Sequence, residues 1–207
     1  MTRLWGYYYS VYARIARMAL AERGVDYAWE EVNPFDPEAD NPHPFGKVPM
    51  LEDRVHRIYE ATAITTYVEA RCPGPRWTPE DPLARAREAQ VIGIVDSYGY
   101  WPMVREVFVA AVADVSAGAT RDEARIAKGM ADATKVLSEL EELAHEGHVL
   151  NGHLSRADLH LAPMMAYFTM AEDGAALLAR HPALSEWFSW MQARDSFTAT
   201  KPVFTDA

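Results

Sequence analysis

The chain has 207 residues, 49% of them hydrophobic and 24% charged, with a net charge of −10. That is enough chain for one large or two small domains, and its acidity argues against nucleic acid and anionic membrane as partners. One cysteine, Cys72, excludes an internal disulfide and fits a reducing compartment; no apolar run of about eighteen residues would span a membrane, no signal-peptide core follows a basic start, and a cytoplasmic chain is expected.

Arg3 to Tyr9 is short, aromatic and β-prone, as a first strand should be. Ser10 and Val11-Tyr12 follow, then a helix from about Ala13 to Arg23, with Ile15, Met18 and Ala19 on one apolar flank. Gly24 is placed to end it. Val25–Val32 alternates in part and reads as a second strand, parallel to the first because a helix joins them. Asn33 to Pro44 is rich in proline and reads as a loop. Val48-Pro49 then precedes an apolar pair, Met50-Leu51. Proline cannot donate to a ladder, so it belongs at a strand's first residue or edge. A cis bond there would leave the N–H and C=O of Val48 open to an extended peptide. A hairpin near Asp53-Arg54 and a helix from about Thr62 to Arg71 complete the order β-α-β-loop-β-β-α, which is thioredoxin-like.

Pro73, Pro75, Pro79 and Pro82 mark residues 73–82 as a linker. The expected division is therefore a thioredoxin-like α/β domain at 1–72 and an all-helical domain at 83–207. A long helix is expected from Leu83 to Ala113, bent near Tyr100-Trp101-Pro102. Another should run from Arg121 to His145, its apolar stripe being Ile126, Met130, Ala133, Leu137, Leu140 and Ala144. Ser155 and Asp158 form a capping box worth about 1 kcal/mol. A last helix from His181 to Arg194 should turn Trp187, Phe188 and Met191 inward.

Pro44-Phe45-Gly46-Lys47-Val48-Pro49-Met50-Leu51, then Tyr59-Glu60-Ala61-Thr62-Ala63-Ile64, resembles the glutathione-binding half of the cytosolic glutathione transferases. The Ser-x-x-Asp box and the segment Pro182–Phe197 resemble that family's helical half. The run Ser10-Val11-Tyr12-Ala13-Arg14 is similar to the serine-type classes, which suggests a theta/tau-like bacterial member. The resemblance implies glutathione as co-substrate and a homodimer. It implies that Val48 and Pro49 face the cysteinyl part, that Lys47 meets the glycine carboxylate beside His43, and that Glu60, Ala61 and Thr62 hold the γ-glutamyl end. The family's pair is Glu-Ser; here Ala61 lacks the hydroxyl, and Thr62 is the neighbouring substitute. Asp96 is the candidate partner of the γ-glutamyl amine.

A thiol reacts as its thiolate. Lowering its pKa from about 8.5 to about 6.5 requires roughly 2.7 kcal/mol, at about 1.36 per unit. One hydrogen bond to a charged group contributes about 1.5–3 kcal/mol, and a helix N-terminus about 0.3–1. One hydroxyl near the start of the first helix is therefore enough, with no general base. Ser10 is the first candidate; Tyr7, Tyr9 and Tyr12 are alternatives, strand alternation sending Tyr7 and Tyr9 one way and Tyr8 the other. Tyr100, Trp101, Met103, Val104 and Phe108, with Tyr167 and Phe204, are candidates for an apolar wall. Such a wall selects an epoxide, halide or activated alkene. No cysteine stands in the loop before the first helix, so mixed-disulfide chemistry is not expected. No histidine set has metal-ligand spacing, and no metal is expected. The rival readings are a glutathione-dependent isomerase, dehalogenase or ether-cleaving enzyme, and a non-catalytic binding or scaffold protein.

Overall fold

The structure is a computed structural model that describes residues 2–203. It divides into two compact units. The first comprises the described residues up to Arg76 together with Arg194–Pro202. The second begins at Trp77, and the chain leaves it after Ala193. The boundary thus falls inside the proline-rich stretch, and a late segment returns to the first unit. Nothing in the composition of that segment announces the return.

The first unit holds a four-stranded sheet in the order β2-β1-β3-β4. Its strands are β1 (Thr2–Gly6), β2 (Ala28–Glu31), β3 (Met50–Asp53) and β4 (His56–Tyr59). β1 pairs with β2 in parallel and with β3 antiparallel, and β3 pairs with β4 antiparallel. The parallel pair is joined through α1 (Val11–Glu22), as a βαβ unit requires. α2 (Ala61–Arg71) follows the hairpin. The thioredoxin-like order is therefore present. Leu4, Met50 and Leu51 from the sheet and Ile15, Met18, Leu20, Ile64 and Val68 from the two helices are buried. A Cβ on Gly6 would lie 2.5 Å from the Trp29 ring and 3.1 Å from the Ala13 Cβ. Glycine at that position lets the start of α1 sit close over the end of β1.

β1 is shorter than its composition suggests. Its last ladder bond runs from the Val32 N–H to the Gly6 carbonyl, 2.8 Å. Beyond it the chain turns, and the Ser10 N–H donates to Tyr7 O at 2.9 Å. β-Propensity is a preference for a paired surface. Tyr7–Tyr9 stand in a turn, so the alternation expected of a strand does not apply to them.

The second unit is helical. α3 (Pro82–Ile94) runs directly into a π-type segment, Val95–Ala113, and then α4 (Asp114–Ser116). In the π-type segment bonds reach five residues back, as from the Asp114 N–H to Val109 O. Pro102 stands inside it. A proline ring clashes with the carbonyl four residues earlier in an α-helix and has no N–H to give; wider turns accommodate both. The change of geometry begins at Val95, seven residues before the proline that was expected to mark it. α5 (Glu123–His145) packs against this segment and is capped by Asp122. Its buried stripe is Ile126, Gly129, Ala133, Val136, Leu137, Leu140, Glu141 and Leu143. Met130 and Ala144 are only half-buried, so the stripe is rotated slightly from the expected one.

α6 (Arg156–Phe168) opens on the capping box of Ser155 and Asp158. Asp158 Oδ2 accepts from the Ser155 N–H and hydroxyl, both at 2.6 Å, and Oδ1 accepts from Trp187 Nε1 at 2.7 Å. Burial pushes this carboxyl's pKa up, while the hydrogen bonds oppose that push. α7 (Glu172–Leu178) and α8 (Pro182–Gln192) follow, and α9 (Asp195–Ala199) belongs to the first unit. Trp187, Phe188 and Met191 do point into the core. No helix among the described residues is long and apolar enough to cross a membrane.

Candidate functional site

Sheet register brings most of the candidate residues together. Trp5 stands opposite Met50, and Met50 opposite Tyr59. The exit of β1, the entry to β3 and the exit of β4 therefore lie at one end of the sheet. Tyr7–Ser10, Val48-Pro49 and Glu60–Thr62 are the residues next to those three strand ends. This is where α/β folds place ligands.

Ser10 is the N-cap of α1, and its Oγ accepts from the Ala13 N–H at 3.2 Å. That bond uses a lone pair and leaves the hydroxyl proton to donate. Tyr7 is half-buried, edge-on to Tyr9 at 5.5 Å and to Phe35 at 6.1 Å. Burial, then Tyr9, then Glu31 raise its pKa, so its phenol is a weaker proton donor than usual. Tyr8 donates its N–H to Glu31 Oε1 at 3.0 Å, and Arg17 lies 5.3 Å from its ring. Tyr9 is 36% exposed, and Tyr12 is half-buried in the first turn of α1.

The Val48-Pro49 bond is cis. Val48 makes no backbone hydrogen bond outside the regular elements among the described residues. Lys47 is exposed, and its carbonyl accepts from Asn41 Nδ2 at 3.2 Å. His43 is buried, 5% exposed, with its ring 5.1 Å from that of Tyr59. The Phe45 N–H donates to His43 Nδ1 at 3.1 Å, which puts the ring proton on Nε2. Burial lowers the pKa of His43; Glu60 draws it up and Lys47 pushes it further down. His43 is therefore a neutral donor at pH 7.

α2 begins differently from α1. Glu60, its N-cap, has φ 70° and makes no side-chain cap bond. Such a backbone costs about 1–3 kcal/mol in a residue other than glycine and recurs at ligand clamps. The N–H groups of Ala61, Thr62 and Ala63 thus have no capping side chain. Ala61 is buried and Thr62 exposed. A free helix start favours a carboxylate, and the exposed Glu60 beside it favours an amine. A peptide with a thiol, an amine and carboxylates fits these groups.

The other candidates belong to the helical unit. Asp96 meets the Nδ1–H of His160 at 3.3 Å. His160 is fully buried, and its Nε2 has no partner among the described residues. Phe108 and Tyr167 are buried and stacked, with centroids 4.4 Å apart. Met103 is 0% exposed and Val104 5%, so both stand in the core of that unit. Tyr100 is half-buried, with a pKa raised by burial, and Trp101 is 59% exposed. Phe204 lies outside the described residues. Cys72 is half-buried, at the end of α2.

Two neighbours of the candidate residues were not singled out from the sequence. Glu31 holds the Tyr8 N–H and Trp29 Nε1, the latter at 2.8 Å. The available signal was the i, i+2 spacing of Trp29 and Glu31 on one face of a strand. His160 gave no local signal, because its partner is 64 residues away.

A thioredoxin-like sheet with an open main chain before its third strand, a hydroxyl at its first helix and a helical unit after it defines a class of thiol-peptide-binding folds. Residues 4–76 match the family model "Glutathione S-transferase, N-terminal domain" and residues 100–195 match "Glutathione S-transferase, C-terminal domain". The chain belongs to the glutathione S-transferase family. Glutathione S-transferase 4 of Zea mays is 29% identical over 198 residues, 93% of this chain and 88% of that one. Glutathione S-transferase F6 of Arabidopsis thaliana is 25% identical over 203 residues, 94% and 96% of the two chains. Among solved structures, a glutathione S-transferase from Methylobacillus flagellatus with GSH bound is 25% identical, with a TM-score of 0.74 over 98% of this chain and 100% of that one.

Proposed function

We propose that the protein transfers the sulfur of glutathione to an apolar electrophile: an epoxide, a halide or an activated alkene. The observation that carries this reading is the meeting, at one end of the sheet, of three groups. They are a hydroxyl with its proton to give, a main chain open at Val48, and the uncapped start of α2. Ser10 donates to the sulfur and holds it as thiolate. The main chain of Val48, before Pro49, pairs with the cysteinyl peptide. Lys47 and His43 face the glycine end. Glu60 takes the γ-glutamyl amine, and the α2 N–H groups take its carboxylate. The thiolate then attacks carbon and a C–S bond forms: a carbon–halogen bond breaks and the halide leaves with its electron pair, or an epoxide C–O bond opens and its oxygen takes a proton from water, or the alkene π bond is lost and its other carbon takes that proton.

Among the hydroxyls, Ser10 is favoured by its place at the start of α1, where its Oγ accepts from the Ala13 N–H and keeps its own proton to donate. By family membership the working form is a homodimer, which sedimentation would check. Retention on glutathione-agarose with turnover of a chloronitrobenzene tests the whole reading; failure to bind would remove it. Ser10→Ala should raise the pKa of the bound thiol by about one to two units, as expected for one charge-assisted hydrogen bond. An unchanged thiolate absorbance of bound glutathione in that variant would transfer the role to a tyrosine.

A further inference from the structure

The first unit includes Arg194–Pro202, a segment from far along the chain. It grips α1 through three of that helix's side chains. Arg14, 2% exposed, donates Nη2 to Phe197 O at 2.9 Å and Nε to Thr200 Oγ1 at 3.4 Å. Its guanidinium carbon lies 4.3 Å from the centre of the Phe197 ring. Thr200 donates its own proton to Ser196 O at 2.7 Å, which leaves its lone pairs for Arg14. Arg17 Nη1 donates to Thr200 O at 3.3 Å. At the far end of α1, Glu22 accepts from Arg194 Nε and Nη2 at 2.9 and 2.8 Å, and from the Ser196 hydroxyl.

Arg14 also makes the first backbone bond of α1, its N–H donating to Ser10 O at 2.9 Å. One residue therefore ties the late segment to the backbone of Ser10. A buried guanidinium deprived of acceptors is costly, so Arg14 and the turn Phe197–Thr200 hold each other in register. We infer that Arg14, braced by the turn Phe197–Thr200, is a positioning residue that fixes where the Ser10 hydroxyl points. The inference rests on Ser10 being the donor to the thiolate. Hydrogen bonds weaken steeply with misalignment, so a small shift of the α1 start reduces that donation without removing the glutathione site.

The test measures the pH profile of kcat/KM with a chloronitrobenzene, together with the thiolate absorbance of bound glutathione, in four variants. Arg14→Lys keeps the charge and loses the planar fork; Thr200→Val removes the hydroxyl, which is both the acceptor of Arg14 Nε and the donor to Ser196 O. Both should raise the pKa of the bound thiol by about one unit, a tenfold loss of thiolate below it. Their kcat/KM should recover at high pH, and their KM for glutathione should stay within about twofold of the parent, since binding groups are untouched. Arg194→Met, at the other end of α1, should lower Tm and leave the profile in place. Lowered Tm with an unmoved profile in Thr200→Val would make the brace merely structural and overturn the inference; Thr200→Val also decides the matter if Arg14→Lys does not fold. Ser10→Ala separates the two ideas. If it abolishes the thiolate absorbance while the Arg14 and Thr200 variants do nothing, only the positioning role falls. If it leaves the absorbance intact, the Ser10 reading and the positioning role fall together.

Discussion

Ala61 is the residue at which this chain departs most plainly from the family's pattern. It sits buried at the first position of α2, next to N–H groups that no side chain caps. A hydroxyl there would add a donor to a ligand carboxylate. Ala61→Ser is expected to tighten glutathione binding by about 0.5–1.5 kcal/mol, roughly two- to tenfold in Kd. Isothermal titration checks it; an unchanged or weaker Kd would mean that the carboxylate lies elsewhere. Thr62 is exposed, one residue on, and its carbonyl accepts from the hydroxyls of Thr65 and Thr66 at 3.1 and 2.7 Å. Consecutive helix residues point about 100° apart, so a hydroxyl at Thr62 is no direct replacement for one at Ala61.

Among the elements, the π-type segment Val95–Ala113 and α5 approach each other closely at Gly129. A Cβ at Gly129 would lie 2.7 Å from the Glu106 Cβ, 2.9 Å from Val107 Cγ2 and 3.0 Å from Pro102 O. Alanine is the better helix former by about 1 kcal/mol. Overpacking against another helix costs about 1–3 kcal/mol, and here one obstacle is backbone, which cannot rotate away. Gly129→Ala should therefore lower the urea midpoint with the slope unchanged; a raised midpoint would show that the two helices slide apart freely. Periodicity did find α5. It did not find the rotation of its buried stripe toward Gly129 and Val136, because that is set by the width of the segment it crosses.

At the scale of the whole chain, Glu22 and Arg194 are 172 residues apart and form a bidentate pair. Burial pushes the Glu22 carboxyl up, but bonds from Arg194 and Ser196 and the charges of Arg194 and Arg23 outweigh it, and its pKa is lowered. The sign follows from linkage. With the folded pKa below the ordinary 4.5, the stabilisation is full above pH 4.5 and is lost as pH falls through the folded value. Glu22→Gln should cost about 1–3 kcal/mol at pH 7, and its deficit against the parent should shrink as pH drops below the ordinary glutamate range. A deficit that stays constant with pH would assign the loss to packing instead of charge.

Local chemistry was legible in the order of residues. The β-α-β-loop-β-β-α pattern, the proline before the third strand, the serine at the first helix and the Ser155–Asp158 box each depend on neighbours within a few positions. Folding decided what depends on partners far away. β1 stops at Gly6, beyond which the Tyr7 carbonyl accepts from the Ser10 N–H and the Tyr8 N–H donates to the Glu31 carboxylate, so three tyrosines that look like strand form a turn. Residues 194–202 belong to the first unit, where the buried Arg14 and the half-buried Arg17 and Glu22 of α1 supply their hydrogen-bond partners. Periodicity and propensity act along the chain, whereas a buried charge takes whatever partner the fold brings to it.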